Sequence, residues 1–220
     1  MVPKATETIK ALIFDMDGVL VDSEPLHLLA YQELLSAFGC LYTEEDNRQY
    51  LGRKDIDCAV GLIERFRLPL TAFGLVEKKE EILHRLFREK LQLRPGVLST
   101  LNTAKGQKLP MAVASSATLP TIRLVVETVR IDGYFRTLCS GDEVANGKPQ
   151  PDVFLLAAER LGIDPGQCLV IEDTYNGVCA AKAAGMKCIA IPCLATQHQD
   201  LSHADFVMRS LEQVDLAEWL

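Results

Sequence analysis

The stretch Ala11-Leu12-Ile13-Phe14-Asp15-Met16-Asp17-Gly18-Val19 decides how this chain is read. Four apolar residues in a row suit a strand buried on both faces of a parallel sheet, where polar and apolar positions do not alternate. Two carboxylates two positions apart follow, and then a glycine that permits a tight turn. If the backbone stays extended, Asp15 and Asp17 project to the same side. A divalent cation would stabilise such a close pair, and oxygen ligands suit Mg²⁺, which usually keeps waters and phosphate oxygens in its shell. The plain alternative is a solvated loop or an N-cap pair, so this stretch alone leaves the chemistry open.

Outward from it, similar runs recur at Met111-Ala112-Val113-Ala114, Cys168-Leu169-Val170-Ile171 and Lys187-Cys188-Ile189-Ala190-Ile191, with Thr137-Leu138-Cys139 a weaker one. Helix-period segments separate them: Gly96 to Lys105, Leu119 to Val129, Asp152 to Leu161 and Tyr175 to Ala184, each bounded by Gly, Pro or a capping residue. Strands alternating with helices predict an α/β fold, a Rossmann-like parallel sheet flanked by helices. Functional groups in such sheets gather at the carboxyl ends of strands, and Asp15, Ser115 and Glu172-Asp173 all follow apolar runs. From Ser23 to about Lys90 the strand signal gives way to amphipathic helix patterns, such as Leu26-Leu29-Ala30-Glu33-Leu34 and Ile82-Leu83-Leu86-Phe87. The expected division is a core of residues 1–21 and 92–220 with a helical insert over 22–91.

Three further positions carry candidate chemistry. Ser115 precedes Thr118-Leu119-Pro120, where Pro belongs in a first helical turn, so its hydroxyl and nearby N–H groups could hold a phosphate oxygen; Ser116 beside it is a candidate substrate contact. The competing role for Ser115 is a plain helix cap. Lys148 lies in Gly147-Lys148-Pro149, where the proline disfavours helix, so its ammonium could pair both a carboxylate and a phosphate. Glu172 and Asp173 end a buried strand, a costly place for two carboxylates without a cation or hydrogen bonds. Their competing role is capping, with Asp173 serving Asn176 and Gly177.

The ordered set Asp15-x-Asp17-Gly18, Ser115, Lys148 and Glu172-Asp173, with a helical insert after the first motif, resembles the haloacid-dehalogenase superfamily, in particular members with a small helical cap. The resemblance spans essentially the whole chain. It implies a Rossmann-like catalytic core, Mg²⁺ as cofactor, and a phosphatase acting on a small phosphorylated metabolite, such as a sugar phosphate, through an aspartyl-phosphate. By the same resemblance Asp15 is the nucleophile and a metal ligand, and Asp17 is the acid/base whose backbone carbonyl also meets the metal. Ser115 and Lys148 hold phosphate oxygens, while Asp173, helped by Glu172, completes the metal site. Asp17 also separates reaction classes, because an alkoxide leaving group needs a proton and a halide does not.

The segment Asp22-Ser23-Glu24-Pro25-Leu26-His27 is similar to that of sugar-phosphate phosphatases, pseudouridine-phosphate phosphatases and β-phosphoglucomutases. Ser23, Glu24 and His27 are therefore candidate substrate contacts, against a plain helix start. Arg53 and Lys54, in Gly52-Arg53-Lys54-Asp55, are candidates on the same ground. Two alternatives stay open: a mutase in which a sugar hydroxyl takes up the phosphoryl group, and a non-catalytic binding protein on the same fold.

Composition narrows the partners. A net charge of −7 with a pI near 5.2 argues against a broad basic surface for nucleic acid. No run approaches the roughly 18 apolar residues of a membrane helix, and the first ten residues show no secretory pattern, so a cytoplasmic protein is expected. Seven cysteines include no C-x-x-C pair and read as reduced core fillers. A chain so arranged can work as a monomer.

Overall fold

The computed structural model describes residues 8–50 and 55–219. Each apolar run forms a strand: β1 (Ala11–Phe14), β2 (Met111–Ser115), β3 (Thr137–Ser140), β4 (Cys168–Glu172) and β5 (Lys187–Ala190), followed by a two-residue β6 (Phe206–Val207). They make one sheet in the order β3-β2-β1-β4-β5-β6, with every pairing parallel. β1 is the switch point, since the chain leaves it first toward β2 and later returns on its other side as β4. A crevice opens at the carboxyl ends of strands at such a point. The register puts Phe14 opposite both Val113 and Ile171, so the next residues, Asp15, Ala114-Ser115 and Glu172, emerge side by side.

Helices cover the sheet: α5 (Val97–Gly106), α6 (Leu119–Thr128), α7 (Asp152–Leu161) and α8 (Tyr175–Ala183). Ala11, Ile13, Ala112, Ala114, Val170 and Cys188 pack against Phe154 and Ala157 of α7 and Val178 and Ala181 of α8. Leu12 and Phe14 point to the opposite face, where Phe14 meets Phe135 edge to face with centroids 6.1 Å apart. Every residue of β1, β2 and β4 is buried, which is why these strands read as continuous apolar runs. Trp219 is buried after a 3₁₀ turn, Leu216–Glu218, and stacks edge-on with Phe206.

The chain divides into two compact units, one running to Asp22 and resuming at Gln92, the other Ser23–Leu91. The second is helical: α1 (Glu24–Ser36), α2 (Glu44–Arg48), α3 (Asp55–Phe66) and α4 (Ala72–Lys90). Its core gathers Tyr31, Leu34, Leu35, Tyr42, Leu62 and Leu75. Lys79 is fully buried there, with Nζ 3.0 Å from both Asp55 oxygens and 5.4 Å from the Tyr31 ring centre. Among the described residues no helix is long and apolar enough to cross a membrane.

Candidate active site

Asp15 extends the β1 ladder by one residue, its N–H donating to the Ile171 carbonyl at 2.9 Å. The ladder of β1 ends there. The Gly18 N–H donates to Val21 O and the Leu20 N–H to Met16 O, both at 2.9 Å, and Gly18 turns the chain with φ +77°. An L-residue is strained in that region, and a Cβ at Gly18 would also collide with the Asp173 carboxylate. Asp17 is therefore carried on a turn and is more exposed than Asp15. The Arg94 guanidinium donates to the Gly18 carbonyl and, at 3.4 Å, to that of Pro192.

Asp15, Glu172 and Asp173 each offer a carboxylate oxygen within 4.8 Å of the others, and all three are buried. Lys148, expected ahead of α7, reaches them from a Lys148–Pro149 cis peptide. Its Nζ lies 2.5 Å from Asp15 Oδ1, 2.8 Å from Glu172 Oε1 and 3.3 Å from the Ala114 carbonyl. Its side chain is only 7% exposed, with the Phe154 ring centre 4.7 Å from Nζ. This is no solvated surface lysine.

Capping does not account for the acidic pair. Thr174, not Asp173, caps α8, its Oγ1 accepting from the Gly177 N–H at 3.0 Å. Glu172 Oε2 accepts from the N–H groups of Asp173 and Thr174 and from the Thr174 hydroxyl, at 2.7–3.0 Å. Gly177 leaves room for that carboxylate, since a Cβ there would overlap it. Asp173 accepts a hydrogen bond from Thr196 on Oδ2 at 3.1 Å, while Oδ1 is buried with no hydrogen-bond partner.

Burial is the main force on the titrations. It pushes the Asp15 carboxyl well above the ordinary range, against the pull of Lys148 and with Glu172 and Asp173 adding to the rise. Burial likewise drives Asp173 up to about 7, with Glu172 contributing. At Lys148 burial favours the neutral amine, but the Asp15 and Glu172 carboxylates outweigh it and raise the pKa. One ammonium faces three carboxylates, so ionising all three would leave negative charge uncompensated. Together with the orphaned Asp173 Oδ1, this donor set fits a hard divalent cation held by oxygen ligands.

Ser115 is buried at the end of β2, and its Oγ accepts from the Ala117 N–H at 3.1 Å. Thr118 is the residue at the N-terminus of α6 whose side chain caps it, so Ser115 is not that cap. Ser116 is exposed. From β3 the fully buried Ser140 donates its hydroxyl to the Ala117 carbonyl at 2.6 Å, tying down the loop after β2. In the helical unit Ser23 is buried at the start of α1 without a side-chain capping bond, Glu24 is half-buried, and His27 meets Phe87 edge-on with centroids 6.1 Å apart. Arg53 and Lys54 lie outside the described residues. Sequence reasoning missed Thr174, Gly177, Ser140 and Thr196; for Thr174, the pattern of Thr three residues before Gly177 at the start of α8 was the available signal.

Known proteins resemble this chain in sequence and in fold. Residues 12–191 match the haloacid dehalogenase-like hydrolase family. A phosphorylated carbohydrates phosphatase of Thermotoga maritima is 35% identical over 179 residues, covering 81% of this chain and 83% of that one. Fructose-1-phosphate phosphatase YqaB of Escherichia coli is 31% identical over 188 residues, 86% of this chain and 99% of that one. The crystal structure of CbbY from Rhodobacter sphaeroides in complex with phosphate superposes with a TM-score of 0.87 at 30% identity, over 96% of this chain and 99% of that one. From its motifs, its sheet and these likenesses, the chain belongs to the haloacid dehalogenase-like hydrolase family, among members that are phosphatases.

Proposed function

We propose that the protein is a Mg²⁺-dependent phosphatase of a small phosphorylated sugar, working in the cytoplasm as a monomer through an aspartyl-phosphate on Asp15. The observation that carries this reading is the Lys148 ammonium held between the buried carboxylates of Asp15 and Glu172. That ammonium favours the ionised form of Asp15, opposing the burial that raises its pKa. Relatives that act on phosphorylated carbohydrates and fructose 1-phosphate support the sugar class, and seven free thiols suit a reducing compartment.

Asp15, Glu172 and Asp173 would hold the cation, with the Asp17 backbone carbonyl as a further ligand. When bound it supplies positive charge where phosphoryl transfer spreads negative charge over the equatorial oxygens. The chain's own groups do the rest. The Asp15 carboxylate forms a bond to phosphorus as the bond to the sugar oxygen breaks, and Asp17 gives that oxygen its proton. Asp17, now a base, takes a proton from water, which attacks the phosphoaspartate and frees both inorganic phosphate and Asp15. Ser115 and the N–H groups beside it, with Lys148, hold the remaining phosphate oxygens. Ser23, Glu24, His27, Arg53, Lys54 and Ser116 are assigned to the sugar.

A panel of sugar phosphates, phosphoglycolate, nucleotides and β-glucose 1-phosphate, with free phosphate and isomerised sugar measured together, tests this reading. Mg²⁺-dependent phosphate release from a sugar phosphate is expected. Isomer without free phosphate would replace the phosphatase by a mutase, and no release from any ester would leave a non-catalytic protein.

A further inference from the structure

The three buried carboxylates are not fixed equally. Glu172 takes three donors on one oxygen and Lys148 on the other, and Asp15 is gripped by Lys148. Asp173 sits at the start of the loop after β4, and its anchor comes from the neighbouring strand's loop. The β5 ladder runs past the end of the strand, Ile191 N–H donating to the Glu172 carbonyl at 2.7 Å. This delivers residues 192–196 beside Asp173.

There the chain closes a turn. The N–H groups of Thr196 and Gln197 donate to the Cys193 carbonyl at 3.1 and 2.9 Å, and the Cys193 N–H donates to Thr196 Oγ1 at 2.9 Å. That last bond occupies a lone pair of the hydroxyl and leaves its single proton to be given away. Two acceptors lie in reach, Asp173 Oδ2 at 3.1 Å and Cys193 Sγ at 3.4 Å. A carboxylate oxygen is much the better acceptor. Gly18 also crowds the carboxylate, approaching so near that a Cβ there would strike Oδ2. With Oδ2 held by Thr196 and Oδ1 buried without a partner, the plane of the Asp173 carboxylate is set before any cation arrives.

Resting on the metal-dependent reading above, we propose that Thr196 is a positioning residue for the cation site: its hydroxyl, oriented by the Cys193 N–H, fixes Asp173 so that Oδ1 faces the other carboxylates as a ready ligand. Removing such a partner of a ligand typically weakens metal binding roughly 10–100-fold.

The test compares the wild-type chain with Thr196→Val, which keeps the shape and loses the hydroxyl, and Thr196→Ser, which keeps the hydroxyl. Mg²⁺ binding is measured by calorimetry without substrate, together with the Mg²⁺ activation constant and the substrate KM at saturating Mg²⁺. Thr196→Val should raise the Mg²⁺ dissociation and activation constants together, roughly 10–100-fold, with substrate KM unchanged; Thr196→Ser should stay close to wild type. If Thr196→Val does not fold, Thr196→Ala carries the same comparison. Wild-type Mg²⁺ affinity in the folded Val or Ala protein, or Thr196→Ser as weak as Thr196→Val, overturns the inference. Failure of the wild-type chain itself to bind Mg²⁺ would instead strike the metal-dependent reading on which it stands.

Discussion

Lys148 Nζ stands 2.5 Å from Asp15 Oδ1 although the two residues are 133 positions apart in the chain. The contact exists because β1 is the central strand of the sheet and the loop before α7 crosses its carboxyl end. Neither group would be comfortable alone at this depth, since an unpaired buried charge is strongly destabilising. Replacing Lys148 by Met should therefore do more than slow the enzyme. The metal-free protein should lose about 3–5 kcal/mol of stability, read by urea unfolding, and Mg²⁺ should recover part of the loss. An unchanged unfolding midpoint in Lys148→Met would show that the carboxylates do not need the ammonium.

Asp17→Asn should leave the fold intact, because the turn that carries Asp17 is held by backbone bonds of Gly18, Leu20 and Val21 to their neighbours. Loss of a positioned proton donor typically costs 10²–10⁴-fold in rate, roughly. The loss in kcat should shrink for aryl phosphates, whose leaving groups need little protonation. Equal loss for alkyl and aryl esters would remove Asp17 from the proton-donor role.

Two glycines offer a controlled contrast. A methyl at Gly177 overlaps the Glu172 carboxylate, while at Gly133 it meets nothing within 4 Å. Gly177→Ala should be destabilised by about 1–3 kcal/mol and lose most activity, because Glu172 must leave its three donors. Gly133→Ala should stay within about 0.5 kcal/mol of wild type. Thermal melts of the two variants side by side decide the matter.

Stability should depend on pH with a definite sign. The folded-state pKa values of Asp15 and Asp173 are raised, that of Asp173 to about 7, chiefly by burial. The stabilising contribution of a group so shifted is complete below its unfolded value, near 3.8 for Asp173, and fades as pH rises through the folded value. The metal-free protein should thus lose stability on this account between about pH 4 and 7. A cation bound to the ionised carboxylates offsets that loss, so the rise in Tm on adding Mg²⁺ should be larger at about pH 8 than at about pH 5. A larger rise at the acid end would contradict the burial-driven shifts.

The sheet was legible because its central strands are covered on both faces, which turns Ala11–Phe14 and Cys168–Glu172 into unbroken apolar runs ending in carboxylates. Phe206–Val207 was not: it is two residues long and only partly buried, and it joins through backbone pairing with Ile189 and Ala190. The same distinction holds at the site. Asp15, Lys148, Glu172 and Asp173 announce themselves as charges beside apolar runs or prolines. Thr196 and Gly177 act through an approach created only on folding, one by reaching across from the next strand's loop and the other by having no side chain where Glu172 must lie. Ser140 belongs with them, a small polar residue whose partner, the Ala117 carbonyl, has no side-chain signature.

The most direct trial of the account is a rapid acid quench of the enzyme turning over a sugar phosphate labelled in its phosphoryl group, with the label counted on the precipitated protein and its position read separately by borohydride reduction, which turns a phosphorylated aspartate into homoserine, and mass spectrometry. The account predicts a phosphoryl label on the protein during turnover, located at Asp15 and absent from Asp15→Asn. Inorganic phosphate formed at the full rate with no labelled protein, or a label on another residue, would contradict it.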